Sequence, residues 1–528
     1  MATKWWTLVA VCTGVFMLLL DITIVNVALP DIQRDLGASL SDLQWVIDAY
    51  ALTLAALQLT AGSLADRYGR KRLFAIGTFV FTLGSLLCGL APTVLFLTLA
   101  RAAQGIGGAV MFATALALLS GAFSGKERGT AFAFFGATTG VAVAVGPVLG
   151  GVLTSGISWH WIFLVNIPIC VFALAVTLTQ VQESRNPHAG RPDWIGFITF
   201  SSGLGLLVLG LIRGGVDGWS HALVVSSFVA SAILLVSFVV SQLVQRSPMF
   251  DLGLLRKPTF VGGLIAAVGV SASIFSLLTY LIIYVQNVLG YSAIGSGVRF
   301  LFLSGMSFVA AIVAGRLTSH VPTKWLIAPG FFLTALGLFL MRGIAASSEK
   351  SEWTHLIPGL IVAGIGIGMI NVPLASTAVG VVAPERSGMA SGVNSTFRQV
   401  GIATGIAALG SIFSHQVAGG IHTALAGTPG AAQASKVATA VTNGQIQAVL
   451  AHAPASARST IEQAATGSFV DALNHITTIA AVIALVAGIC CLFLIRARDF
   501  VGQQGAPATA AVARPRGGRH RAEPAHAR

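Results

Sequence analysis

Three charged residues stand inside apolar runs where a charge has no ordinary reason to be: Asp21, Asp48 and Arg101. A charge at the centre of a spanning helix costs about 2.5–3.5 kcal/mol on insertion scales, so each of them needs a partner or a task. A buried carboxylate can take up and release a proton or hold a cation; the bland alternative is an ion pair that only fastens helices together. Burial makes a carboxylate harder to ionise and a neighbouring guanidinium makes it easier. Moving Arg101 relative to Asp21 would therefore load and unload a proton. A second cluster, Gly62, Asp66, Arg67, Gly69 and Arg70, lies between two apolar runs. Asp66 falls at the negative C-terminal end of its expected helix, where a carboxylate is unfavourable unless paired, and Arg70 and Arg128 are the candidate partners. The later apolar runs offer Asn371, Asn394, Arg398 and Gln399 but no acidic residue; these read as packing or hydrogen-bonding groups.

The elements that must position these residues are spanning helices. Of the 528 residues, 55% are hydrophobic and 9% are charged, where a soluble domain carries about 25% charged residues. Apolar runs long enough to cross a hydrocarbon core about 30 Å thick recur along the chain. The ten-residue alternating segments of a transmembrane barrel are missing, and 60 glycines suit helices packed closely in lipid. Hydropathy places about fourteen helices, starting near residues 5, 43, 73, 94, 130, 160, 194, 220, 258, 296, 325, 356, 390 and 473. The first is expected to be a retained span rather than a signal peptide. Helix 1 running outward and helix 2 inward puts Asp21 and Asp48 each about 8 Å below the outer surface, with Arg101 on helix 4 at about 10–12 Å. Lys4, the Arg67–Arg72 cluster, Lys126, Arg128, Arg185, Arg191, Arg246, Arg256, Lys257, Arg316, Lys324, Arg386, Arg496, Arg498 and the tail arginines fall on one side, outnumbering Arg34, Arg213, Arg299, Arg342, Lys350, Lys436 and Arg458 on the other. The positive-inside rule then makes both termini cytoplasmic.

The expected organisation is a six-helix bundle over 1–183, two further helices in 184–257, and a second six-helix bundle over 258–498. An Ala-rich external loop is expected at 414–472, and a basic disordered tail at 499–528. The tail reads as solvated or facing lipid headgroups rather than nucleic acid. The five cysteines, all within apolar runs, suggest neither a zinc site nor disulfides. The external histidines lack metal-ligand spacing, and no phosphate-cradling Walker motif is visible. No cofactor, metal or nucleic acid is expected.

The loop GSLADRYGRKR from Gly62 to Arg72 returns in degenerate form as GRLTSHVPTK from Gly315 to Lys324, with Ser319 where the first copy has Asp66. KERG at Lys126–Gly129 returns as ERSG at Glu385–Gly388. Such duplication of a six-helix unit is typical of transporters, whose substrate site lies between the halves. With DITIVNVALP ending helix 1, RAAQGIGGA in helix 4, GPVLGG in helix 5 and WIFLVNIP in helix 6, the chain resembles the major facilitator superfamily, and within it the fourteen-helix drug/proton antiporters.

That resemblance implies an all-α membrane fold of two six-helix bundles plus two inserted helices. It implies proton or cationic-substrate handling by Asp21 and Asp48, and coupling by Arg101. It also implies a cytoplasmic latch made by Gly62, Asp66, Arg67, Gly69, Arg70 and Arg128. Gly136, Gly140, Ala144, Pro147 and Gly151 share one face of helix 5, which on spacing alone is packing. The string from Gly146 through Pro147 to Gly150 and Gly151 resembles the antiporter motif, in which the helix bends and seals the interface between halves. The expected function is proton-coupled export of hydrophobic compounds, cations among them, by a monomer in a bacterial plasma membrane. The alternatives are a carrier of one metabolite or nutrient and a membrane protein without transport activity. An enzyme would need a catalytic constellation or an appended soluble domain, and the sequence offers neither.

Overall fold

The computed structural model describes residues 2–38, 40–123, 125–186, 192–245, 248–318, 320–345, 349–428, 431–442, 450 and 457–500. The side chain of Pro147, the residue Ser319 and the tail from 501 onward lie outside the described residues. Among the described residues there are helices and no strands. The first half holds α1 (Ala2–Leu36), α2 (Leu40–Tyr68), α3 (Arg70–Gly89), α4 (Val94–Ala122), α5 (Gly125–Gly156) and α6 (Trp161–Gln180). Next come α7 (Trp194–Asp217) and α8 (Ala222–Val244). The second half holds α9 (Pro258–Val288), α10 (Ala293–Leu317), α11 (Lys324–Leu340), α12 (Leu356–Gly380), α13 (Ser387–Leu425) and α14 (Arg458–Leu494). Twelve of these are long and apolar enough to cross a membrane; Lys324–Leu340 is a shorter apolar helix, and α5 has 32 residues. The chain is a multi-pass membrane protein.

Within the first half, α1 packs on α5 and α6, and α4 packs on α2 and α3. Within the second, α12 packs on α10 and α11, and α14 packs on α11 and α13. The halves meet along two seams, α5 against α10 and α2 against α13. Lipid offers helices no hydrophobic reason to associate, so close backbone approach at small residues has to supply the contact. A Cβ on Gly337 would meet backbone atoms of Gly359 and Ala363, and one on Gly107 would meet Gly77 and Phe81. These glycines set the spacing inside each half.

The pair α7–α8 lies against α2 and α13. Leu204 and Val208 pack there with Ala55, Val400 and Ala403. Asp193 fastens the pair at its start, accepting from the Gly196 N–H (2.6 Å), Gln242 Nε2 (2.6 Å) and the Met249 N–H (3.2 Å). Burial pushes that carboxyl up, but these donors outweigh it and hold it below the usual range.

Two features differ from the sequence expectation. α13 has 39 residues and α14 has 37, so at 1.5 Å per residue each is about 55–58 Å long, far beyond a hydrocarbon core of about 30 Å. Much of the segment expected as an external loop at 414–472 is therefore the projecting ends of these two helices. A short helix, Ala434–Thr442, lies beside them. The core of the second half continues into the projection through Val417, Ile421, Leu425, Val437, Val441, Ile461 and Phe469. Small polar and Ala residues diluted its hydropathy, which hid the helical continuity. Second, α9 is broken by two π-helical turns, Ser271–Phe275 and Tyr284–Val288, which hydropathy cannot see.

Candidate functional site: a buried charge network and a charged seam

Asp21 is wholly buried on α1. Arg101 Nη1 donates to its Oδ2. Gln104 Nε2 donates to Oδ1 at 2.9 Å, and Asn166 Nδ2 from α6 reaches the same oxygen at 3.2 Å. Ser85 Oγ on α3 joins the network, 2.6 Å from Gln104 Nε2 and 3.0 Å from Asn166 Nδ2. The guanidinium is held from the other side as well: Arg101 Nε donates to the Val46 carbonyl at 3.2 Å, and its Cζ lies 4.2 Å from the centre of the Tyr50 ring. Five helices of the first half thus converge on one carboxylate. A buried ion pair survives only when further hydrogen bonds satisfy its remaining donors and acceptors; Gln104 and Asn166 fill that need. Sequence reading named Asp21 and Arg101 and missed Gln104, Asn166 and Ser85. Their signal lay in RAAQGIGGA and WIFLVNIP, where an amide interrupts an apolar run.

Asp48 is not part of this network. It is half-buried, and its Oδ2 has no hydrogen-bond partner. The charge acting on it is Arg213, from the inserted helix α7. That guanidinium is held by Asp217 at 2.8 and 3.0 Å and lies 5.4 Å from the Trp45 ring, one turn before Asp48. The membrane layer expected to unite three charges unites two, because Tyr50 is the α2 side chain that faces Arg101, while Asp48 is on the side of α2 toward Arg213.

At the α2–α13 seam, Asp66 Oδ1 accepts from the Gly388 N–H and Oδ2 from the Met389 N–H, both at 2.8 Å. Arg70 donates to Oδ1 from Nε (2.9 Å) and Nη2 (2.7 Å), and that Nη2 also reaches the Pro384 carbonyl at 2.7 Å. The carboxylate, misplaced at the C-terminus of α2, sits on the N-terminus of α13, where unpaired N–H groups and the helix dipole favour an anion. Arg128 takes no part; its Cζ lies 5.4 Å from the Phe132 ring. Arg67 feels Asp193 and Asp66. Gly69 has φ 113°, a conformation open to glycine, and a Cβ there would strike the Glu183 carboxylate. Glu183 accepts from the N–H groups of Lys71 (3.0 Å) and Arg72 (3.1 Å), capping α3.

The internal repeat becomes spatial here. Gly62 touches Gly388, and Gly315 touches Gly129. Each copy of the loop glycine therefore meets the opposite half at the glycine that ends the other repeated motif. Helix α5 divides its glycines between two faces: Gly136, Gly140 and Gly151 approach Val372, Ser304 and Ile294 of the second half, whereas Gly146 and Gly150 press on Thr23, Ile24 and Val27 of α1. Pro147 lies between them, its side chain outside the described residues.

Replacing Asp66 with Asn should keep insertion but loosen this seam, since an amide cannot present two acceptors to Gly388 and Met389. Charge-assisted bonds are worth about 1.5–3 kcal/mol, so the closed population should fall by about tenfold or more and turnover in vesicles should slow. Wild-type turnover per folded molecule would reduce the loop to a topology signal.

The chain as a whole is similar to known proteins. Residues 11–406 match the family model of the Major Facilitator Superfamily. The chain belongs to that family. It is 36% identical over 413 residues to the multidrug resistance protein Stp of Mycobacterium tuberculosis, covering 78% of this chain and 76% of that one. It is 31% identical over 498 residues to the tetracenomycin C resistance and export protein of Streptomyces glaucescens, covering 93% and 91%. The fold resembles that of the human organic anion transporter MFSD10, with a TM-score of 0.59 at 13% identity over 92% of this chain and 99% of that one, a likeness of fold alone. The chain is a membrane transporter.

Proposed function

We propose that the chain exports hydrophobic small molecules from the cell in exchange for protons. The observation that carries this reading is Asp21, a carboxylate with no solvent exposure wired to Arg101 across helices. Separating the pair would leave an ionised carboxylate in low dielectric, and taking a proton relieves that cost. Asp21 is then protonated when Arg101 moves away and deprotonated when the pair re-forms. The relatives named for resistance and export support the outward direction. A cationic substrate would find Asp21 already engaged; Asp48 retains a carboxylate oxygen without a partner.

The positive-inside rule makes the basic face, with Lys4, Arg70 and Arg386, the cytoplasmic one in a bacterial inner membrane. The charged seam closes on that face, so Asp66, Arg70 and Gly62 act as a latch that shuts the cytoplasmic side while the other side opens. One chain contains both halves and works as a monomer. The test is everted vesicles with an acidified lumen and a panel of hydrophobic compounds. Substrate should accumulate in the lumen while protons leave it. Accumulation that persists after the pH gradient is collapsed removes proton coupling, and movement only in the opposite direction removes export.

A further inference from the structure

The second half contains a charge that no carboxylate among the described residues neutralises. Arg398 lies on α13, eleven residues after its start at Ser387, about 16 Å into a hydrocarbon core about 30 Å thick. Arg101, at comparable depth in the first half, has Asp21. The expectation that Arg398 merely packs or hydrogen-bonds accounts for little of its bonding capacity. Nη1 donates to the neutral Asn371 Oδ1 on α12 at 3.1 Å, and Cζ lies 5.8 Å from the Phe275 ring on α9. Among the described residues no carboxylate pairs with it. The acidic residues of the second half's spanning helices, Glu462 and Asp471, lie in the projecting part of α14. A guanidinium has five N–H donors and no acceptor, and one amide oxygen takes one of them.

Three further features mark the place. Arg398 is half-buried rather than sealed, so another group can reach its remaining donors. One turn before it, Asn394 is buried with its Nδ2 donor unpartnered. Facing it, Phe275 ends a π-helical turn whose first residue, Ser271, is fully buried with its Oγ unpartnered; such turns inside α-helices are frequent at functional sites. Opposite this face, Val400 and Ala403 of the same helix pack toward α7, so Arg398 points into the bundle and away from the inserted pair. Unused donors around an uncompensated cation in low dielectric call for an anion.

We infer that Arg398, flanked by Asn371 and Phe275, is the counter-charge of a substrate site in the second half that takes the anionic group of a hydrophobic aromatic acid. The aromatic body of such a ligand stacks beside Phe275, and its carboxylate accepts from the free guanidinium donors. That the bound anion is cargo rests on the exporter reading; its binding does not. The two halves would then divide the work, with the proton on Asp21 and the substrate charge on Arg398.

The probes are pyrenebutyrate and its neutral methyl ester, with binding to the purified full-length chain in detergent followed by fluorescence. The acid should bind about ten- to a hundredfold more tightly than the ester, as one or two charge-assisted bonds would give. Arg398→Gln should erase that preference while leaving ester binding intact, and Arg398→Lys should restore part of it. Retained ester binding in Arg398→Gln shows that the variant is folded. If it is lost, a titration of the acid and the ester on Asn371→Leu, which keeps the cation, should show the acid preference reduced but present. Equal affinities for the two probes in the unaltered chain, or an acid preference that survives Arg398→Gln, overturns the inference. A chain that binds the acid through Arg398 but does not move it in vesicles leaves this site standing and overturns the exporter reading instead.

Discussion

Asp21→Asn is expected to abolish proton-coupled export and to lower thermal stability at the same time. The first effect follows from chemistry: Asn nearly keeps the shape of Asp21, so Gln104 and Asn166 can still approach it, but it cannot exchange a proton. The second follows from burial. Arg101, exposed by 1% of its surface, would keep Gln104 Oε1 at 2.6 Å and the Val46 carbonyl but lose its counter-ion. Removing one partner of a buried pair typically costs about 3–5 kcal/mol. The two effects separate in the double variant Asp21→Asn with Arg101→Leu, which removes both charges. Its melting temperature and folded yield should recover toward those of the unaltered chain, while substrate-driven proton release from everted vesicles stays absent. Wild-type proton release in Asp21→Asn would remove Asp21 as the carrier and move that role to Asp48. Recovery of transport in the double variant would make the pair a structural fastening only.

The sequence made the spans legible because lipid imposes the same demand on each of them, and hydropathy reads that demand directly. It made Asp21 and Arg101 legible because a charge in an apolar run is conspicuous. It did not show which charges meet. Asp48 and Arg101 sit at similar depths, yet side-chain direction on α2 turns Asp48 toward Arg213, a residue whose position suggested only an external loop charge. Depth along a helix follows from counting residues; azimuth depends on the packing of helices whose pattern is apolar all round. The same limit hid the division of labour on α5, where Gly146 and Gly151 belong to one string but face α1 and α10 respectively.

Neutral polar residues were harder to read than charges. Gln104 and Asn166 complete the Asp21 network, but an amide in a membrane span is cheap enough to pass as packing. Arg398 was visible as an intramembrane charge in a half whose apolar runs hold no acid; the structure adds its neighbours, Asn371 on α12 and Phe275 on α9. The repeat was read from Gly62 and Gly315, and the structure adds that each glycine meets the opposite half. The two copies thus make two similar close contacts, and Asp66 gives one of them a charge where the other copy has Ser319.

Gly62→Ala should stop turnover by holding the basic face open, an effect out of proportion to one methyl group. A Cβ at position 62 would fall far inside the contact distance to the Gly388 carbonyl oxygen and 3.2 Å from the Gly392 Cα. These are backbone atoms of α13, so no rotamer change can relieve the clash; α2 and α13 must separate. Separation also draws Asp66 away from the N–H groups of Gly388 and Met389, so the methyl group costs the seam its packing and its charged bonds together. Small-residue contacts between membrane helices have no hydrophobic effect to compensate for such a loss. The check is alkylation of a cysteine introduced at Leu59, a residue 2% exposed beside Gly392, in a background with Cys12, Cys88, Cys170, Cys490 and Cys491 replaced. In the Gly62→Ala form, a membrane-impermeant maleimide applied to everted vesicles should label that cysteine at least about tenfold faster, the equivalent of about 1.4 kcal/mol taken from the closed state. Export should be lost with insertion unchanged. Unchanged labelling together with normal export would mean that α2 and α13 do not need to touch during the cycle, and the latch would then have to be sought at Gly129 and Gly315.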